Sequence, residues 1–92
     1  MHYYMEPEWF LANTHFYDDY SRDVKVFSGE YAAHDKEVKE STKRNNWRCA
    51  LSEAAFLTGV ERNADVVYLA SYAPLFARIG YEQWAPDLIW FD

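Results

Sequence analysis

Sulfur chemistry is nearly absent from this chain. Cys49 is the single cysteine, so no intrachain disulfide can form and no cysteine-based zinc site can be assembled, and the thiol is expected to pack as a small hydrophobe. His2, His15 and His34 lack the i, i+4 spacing and the carboxylate setting of a helical metal site, so neither a metal nor another cofactor is expected. Positive charge is scarce as well. Nine Lys and Arg face fifteen Asp and Glu, a formal net charge of −6, whereas phosphate binding needs a clustered basic surface that displaces counterions; no nucleic-acid partner is expected. The basic cluster within residues 34–44 is interleaved with acids and reads as a solvated loop. No window approaches the ~20 apolar residues of a bilayer span, and Met1–Glu6 lacks the basic and apolar regions of a signal peptide. No membrane partner is therefore expected, while the compartment stays open. With three Gly and three Pro there is no low-complexity tract, linker or internal repeat to divide the chain.

Aromatic side chains are what the chain has in excess. Half of its 92 residues are hydrophobic and a fifth are aromatic, with four Trp, eight Tyr and six Phe, more large rings than a core of this size hides. Either some rings face a ligand, or the segment belongs to a larger body that covers them. Pro7 after Glu6 marks a first helical turn, and Trp9, Ala12, Phe16 and Tyr20 recur at helical spacing, predicting a helix from Pro7 to about Asp19. Amphipathic burial explains Trp9 and Phe10 without a sugar ligand. Val24 to Gly29 reads as a short strand. After a long charged connection, Asn45 or Asn46 is placed to cap a second helix whose inward face carries Trp47, Ala50, Leu51, Ala54 and Thr58. Residues 65–71 form a nearly continuous apolar run, predicting a strand buried on both faces. An aromatic loop with Tyr81 and Trp84 leads to a last apolar run over residues 87–92. Strands alternating with helices imply β-to-α crossovers and a parallel sheet.

Within that framework Glu30 ends the strand-like run, followed by Tyr31 and a polar, irregular stretch. Loops leaving the C-terminal ends of parallel strands are where reacting groups sit, because the strands hold them rigid. A carboxylate at that place is a candidate for chemistry. The plain alternative is a solvated glutamate at a strand exit.

Several short blocks, in this order and spacing, resemble the α-L-arabinofuranosidases of glycoside hydrolase family 51. They are His2-Tyr3-Tyr4, Pro7-Glu8-Trp9-Phe10-Leu11, the run from Val26 to Ala32, the run from Ala50 to Gly59, that from Glu61 to Val67, and Ser71-Tyr72-Ala73-Pro74-Leu75-Phe76. The resemblance implies an α/β fold class: a fragment of a (β/α)8 TIM barrel from the end of the sixth strand through the eighth, with two β-to-α crossovers. Residues 1–92 would then be a partial catalytic segment, interrupted at both ends and with no separate second domain. It also implies roles. Glu30 in Gly29-Glu30-Tyr31-Ala32 matches the family's catalytic nucleophile. His2 and Tyr4 match its His-x-Tyr pair, with Tyr4 as hydroxyl donor to the nucleophile and His2 as a further substrate-binding residue; packing without a catalytic role is the other reading of Tyr4. The partner acid/base, a glutamate of an Asn-Glu pair in the family, lies outside this chain. Glu53 and Glu61 are expected on the second helix, solvent-facing or structural. Ala85 and Arg78 stand where the family commonly has asparagine.

The activity so implied is that of a retaining, exo-acting α-L-arabinofuranosidase releasing terminal arabinofuranosyl groups from an arabinose-containing oligo- or polysaccharide. The family's hexameric assembly makes a homo-oligomer one expectation for the full-length enzyme, and the isolated fragment is expected to be inactive. A different class of function stays open beside it: a small stand-alone α/β module that binds carbohydrate or protein through exposed rings.

Overall fold

The computed structural model of the protein describes residues 1–40, 43–44, 46–83 and 87–92. Its elements are β1 (His2–Met5), α1 (Pro7–Ala12), β2 (Val26–Ala33), α2 (Trp47–Arg62), β3 (Val67–Tyr72), β4 (Phe76–Arg78) and β5 (Ile89–Phe91). β1, β2 and β3 form one parallel sheet in that spatial order, and β4 and β5 form a second, separate parallel pair. The expected piece of a (β/α)8 barrel is therefore corrected to two small parallel sheets with two helices. The division falls at Pro74. Proline cannot donate to a sheet ladder, and its carbonyl instead receives the amide of Leu88 while that of Leu75 receives Ile89, which registers the last strand on β4 instead of on β3.

Pro7 occupies the first turn of α1, where its missing N–H costs no hydrogen bond. The helix stops at Ala12, well before Asp19. Asn13 is the reason: its side-chain amide donates to the Trp9 carbonyl at 2.7 Å, offering the backbone an alternative to the next helical bond. Residues 13–20 then continue as i to i+3 turns, Phe16 to Asn13, Asp18 to His15 and Tyr20 to Tyr17. That tighter period brings Tyr17 into the core, a position the 3.6-residue stripe does not select.

At α2, Asn46 is the N-cap, its side-chain oxygen accepting from the Cys49 amide at 3.2 Å; Asn45 lies outside the described residues. The buried face is Cys49, Ser52, Glu53, Phe56 and Gly59, whereas Trp47 and Leu51 are 76% and 54% exposed. The expected inward face is thus turned outward. Apolarity misled because the polar members of the true inner face carry their own partners: Ser52 donates to the Cys49 carbonyl at 2.8 Å, and the Glu53 carboxylate accepts from the Ala33 amide at 2.7 Å. Cys49 is buried, its thiol donating to the Arg44 carbonyl.

Between the helices and one face of the sheet lies an aromatic core. Tyr3, Trp9, Phe10 and Phe56 meet with ring centroids 5.2 to 6.3 Å apart, mostly tilted or edge to face. The Asp18 carboxylate joins the turn after α1 to the end of α2, accepting from Asn63 at 2.7 Å and from Arg62 at 2.9 Å. Those donors and His15 hold its carboxyl well below the usual range. β3 is not enclosed on both faces, since Tyr68 and Leu69 are 61% and 62% exposed. No helix among the described residues is long and apolar enough to cross a membrane.

Candidate active site

β2 is longer than its sequence pattern indicates, running past Glu30 to Ala33, so Glu30 lies inside the strand and not at its exit. Its orientation comes from an irregularity. Ser28 pairs with Ala70 and Tyr31 with Tyr72, so β2 advances three residues where β3 advances two, a bulge with one extra residue in β2. Ser28 and Tyr31 both point into the buried side of the sheet. Strict alternation from Ser28 would have put Glu30 on that same side. The extra residue in Gly29-Glu30 turns the carboxylate to the opposite face, among the side chains of β1.

On that face β1 and β2 are in register, with His2 opposite Glu30 and Tyr4 opposite Ala32. The Tyr4 hydroxyl donates to Glu30 Oε2. His2 Nδ1 stands 3.6 Å from the same oxygen and forms an ion pair with it when protonated. Burial, followed by the hydrogen bond and charge of Glu30, pushes the Tyr4 phenol up to about 12. It therefore remains a protonated donor throughout the neutral range. A Cβ at Gly29 would lie 3.1 Å from His2 Nε2, so the absence of one lets the imidazole sit close against the strand.

Glu53 and Glu61 both sit on α2. Glu53 is buried on the Ala33 amide, and desolvation raises its carboxyl despite that hydrogen bond; Glu61 is exposed. Two further residues belong to the neighbourhood. Ser71 donates to the Gly29 carbonyl at 2.6 Å, meeting the backbone at the bulge, and His34 packs its ring against Tyr4. The lone Gly29 inside a strand pattern is the sequence signal for the bulge; nothing in composition singles out Ser71 or His34. Trp84 and Ala85 lie outside the described residues, and among the described residues no group of three or more His, Cys, Asp or Glu could hold a metal ion.

Chemically, the arrangement offers a single carboxylate, held on one oxygen by a phenol, on a face of the sheet away from the aromatic core. Such a group can act as a nucleophile or as a stabiliser of positive charge.

The family model for the α-L-arabinofuranosidase C-terminal domain matches residues 29–92. It is a model of that C-terminal domain, a second ground for setting aside the barrel-segment expectation. The chain is 56% identical over 92 residues to an extracellular exo-α-L-arabinofuranosidase of Streptomyces chartreusis, covering 99% of this chain and 10% of that protein. It is 38% identical over 88 residues to α-L-arabinofuranosidase A of Aspergillus kawachii, covering 96% of this chain and 13% of that protein. An arabinose-bound MgGH51 α-L-arabinofuranosidase superposes over 100% of this chain and 16% of its own, with a TM-score of 0.87 and 39% identity. The chain thus spans roughly a tenth to a sixth of the length of these relatives. With more than half of its residues matched by the family model, the chain belongs to the α-L-arabinofuranosidase C-terminal domain family.

Proposed function

We propose that this chain is the nucleophile-bearing part of a longer, retaining, exo-acting α-L-arabinofuranosidase that removes terminal arabinofuranosyl groups from arabinose-containing oligo- or polysaccharides. The observation that carries the proposal is the hydrogen bond from the Tyr4 hydroxyl to the Glu30 carboxylate. Retention requires two displacements at the anomeric carbon and two carboxyl groups about 5 to 5.5 Å apart. Glu30 supplies one. Tyr4 and His2 both address Oε2, so Oε1 is the oxygen presented to the sugar. Its electron pair forms the bond to the anomeric carbon as the glycosidic C–O bond breaks and the leaving oxygen takes a proton from the second carboxyl group, which another part of the enzyme provides. Water, activated by that second group, then releases the sugar from Glu30. A neutral donor suits this cycle: the phenol steadies the carboxylate before attack and again as it departs, without itself changing protonation. Residues 1–92 serve as one unit of the enzyme, with no cofactor and no second domain of their own.

The test is Glu30→Ala in the full-length enzyme, assayed on an aryl α-L-arabinofuranoside. Turnover is expected to fall by several orders of magnitude, and azide, entering the space left by the carboxylate, is expected to restore part of it with inverted configuration. Turnover near that of the unaltered enzyme would refute the assignment.

A further inference from the structure

One ring next to the proposed nucleophile's donor has no role in the chemistry described so far. His34 follows β2 immediately, and its amide donates to the Met5 carbonyl at 2.9 Å, which extends the β1–β2 ladder by one step. Since Tyr4 is opposite Ala32 and Met5 is opposite Ala33, alternation places His34 on the face that carries Glu30, Ala32 and Tyr4. Tyr4 is thus flanked along this face by Glu30 on one side and His34 on the other. The Tyr4 and His34 rings lie with centroids 5.6 Å apart at an interplanar angle of 38°. Burial, and then the charges of Lys36 and Arg44, hold the imidazole below its usual pKa. His34 Nε2 is buried without a hydrogen-bond partner.

These features fit a ring that is kept for its shape. A phenol on an aliphatic neighbour can swing about its first two side-chain torsions, and a small angular error at the ring root becomes a large displacement at the hydroxyl. A planar ring packed on its flank restricts that freedom, because swinging the phenol away from Glu30 also disrupts the tilted ring–ring contact. The ladder bond to Met5 fixes the backbone from which the imidazole projects. We propose that His34 is a positioning residue: its ring backs the Tyr4 phenol and holds the hydroxyl on Glu30. This rests on the reading of Glu30 as nucleophile and Tyr4 as its donor.

The experiment is a double-mutant cycle in the full-length enzyme with p-nitrophenyl α-L-arabinofuranoside as substrate, comparing His34→Ala, Tyr4→Phe and the double variant, with His34→Phe and His34→Leu as ring-retaining and ring-deleting replacements. His34→Ala is expected to lower kcat by about tenfold with KM changed by less than about twofold, the pattern of a misplaced transition-state donor. Once Tyr4 lacks its hydroxyl there is nothing left to position, so the double variant is expected to match Tyr4→Phe. His34→Phe is expected to stay within about threefold of the unaltered enzyme while His34→Leu, which fills space without a plane, stays slow. Should His34→Ala fail to fold, the comparison of Phe with Leu carries the test alone. Losses that add in the double variant, or equal turnover of the Phe and Leu variants, overturn this inference and leave the nucleophile assignment standing. Unchanged turnover of Tyr4→Phe would overturn the donor reading beneath it and this inference together.

Discussion

Tyr4→Phe removes one oxygen and keeps the ring. The lost interaction is a charge-assisted hydrogen bond from phenol to carboxylate, worth about 1.5 to 3 kcal/mol. Two facts push the value toward the lower part of that range. Tyr4 is 36% exposed, so water can replace part of what the hydroxyl supplies, and His2 remains 3.6 Å from the same carboxylate oxygen. At ~1.4 kcal/mol per decade, the expected fall in turnover is roughly tenfold to a hundredfold. KM should change little, because the hydroxyl bonds to Glu30 and not to the sugar in the ground state. Stability has its own sign. The folded-state phenol is raised from 10.0 to about 12, so the stabilisation that protonated Tyr4 contributes is fully present below pH 10 and is lost as pH rises through about 12. Tyr4→Phe abolishes that alkaline loss and also forgoes the same stabilisation at neutral pH, an amount reduced by the solvent exposure of the pair. The assays are steady-state kinetics across pH on an aryl arabinofuranoside and an ultraviolet phenol titration. A Tyr4→Phe enzyme with unchanged turnover and an unchanged pH profile refutes the donor argument and reassigns Tyr4 to packing.

Two further outcomes concern the scaffold beneath the site. Gly59→Ala would place a Cβ 1.9 Å from the Thr14 carbonyl oxygen and 2.9 Å from its carbon, backbone atoms that cannot rotate away. Helix propensity favours alanine by about 1 kcal/mol, but separating α2 from the turn after α1 also loosens the Arg62 and Asn63 bonds to Thr14 and Asp18, so the net change should be a destabilisation of about 1 to 3 kcal/mol by denaturant unfolding; a stabilised variant would show that the two elements are not in contact. Glu53 is raised above its usual 4.5 by burial, so its stability contribution is present below that value and lost as pH rises through the folded pKa. Glu53→Gln, which retains an acceptor for the Ala33 amide, is expected to gain on the unaltered protein as pH increases from about 4 to 8, whereas Glu53→Ala leaves that amide unpaired and loses about 1 to 3 kcal/mol. Parallel pH curves for the unaltered protein and Glu53→Gln would contradict the sign.

Much of the local structure was legible because it rests on local chemistry. Pro7 and Asn46 act at helix starts through their own rings and side chains, and no distant contact is needed to read them. Where tertiary contacts decide, the same reading fails. The inner face of α2 is defined by where Gly59 permits contact with the Thr14 carbonyl and where Glu53 reaches the Ala33 amide, and neither partner is visible in a hydrophobic periodicity. α1 ends early because a side-chain amide competes for the Trp9 carbonyl, which a stripe of aromatic residues does not reveal. The separation of β4 and β5 from the first sheet is likewise a pairing decision across 10 or more residues, and the apolar runs alone fit either partner.

The site depends most on the feature hardest to foresee. Glu30 as a residue type at a strand was readable, but its face was not, because the period of a strand is two and one extra residue inverts everything beyond it. Without the bulge between Ser28 and Tyr31, Glu30 would follow Ser28 to the side where the Tyr3 and Tyr17 hydroxyls already form a buried chain with Ser28. A carboxylate there would be desolvated among those hydroxyls and aromatic rings. The bulge resolves this conflict by giving each side chain the face its chemistry requires: Ser28 and Tyr31 inward, Glu30 outward beside Tyr4. It also leaves the Gly29 carbonyl at the irregularity, and Ser71 supplies it with a donor from β3. The glycine, the serine on the neighbouring strand and the phenol on the other side are therefore parts of one device. Gly29 lets His2 approach, Ser71 satisfies the displaced backbone, and Tyr4 holds the carboxylate that the displacement has turned outward.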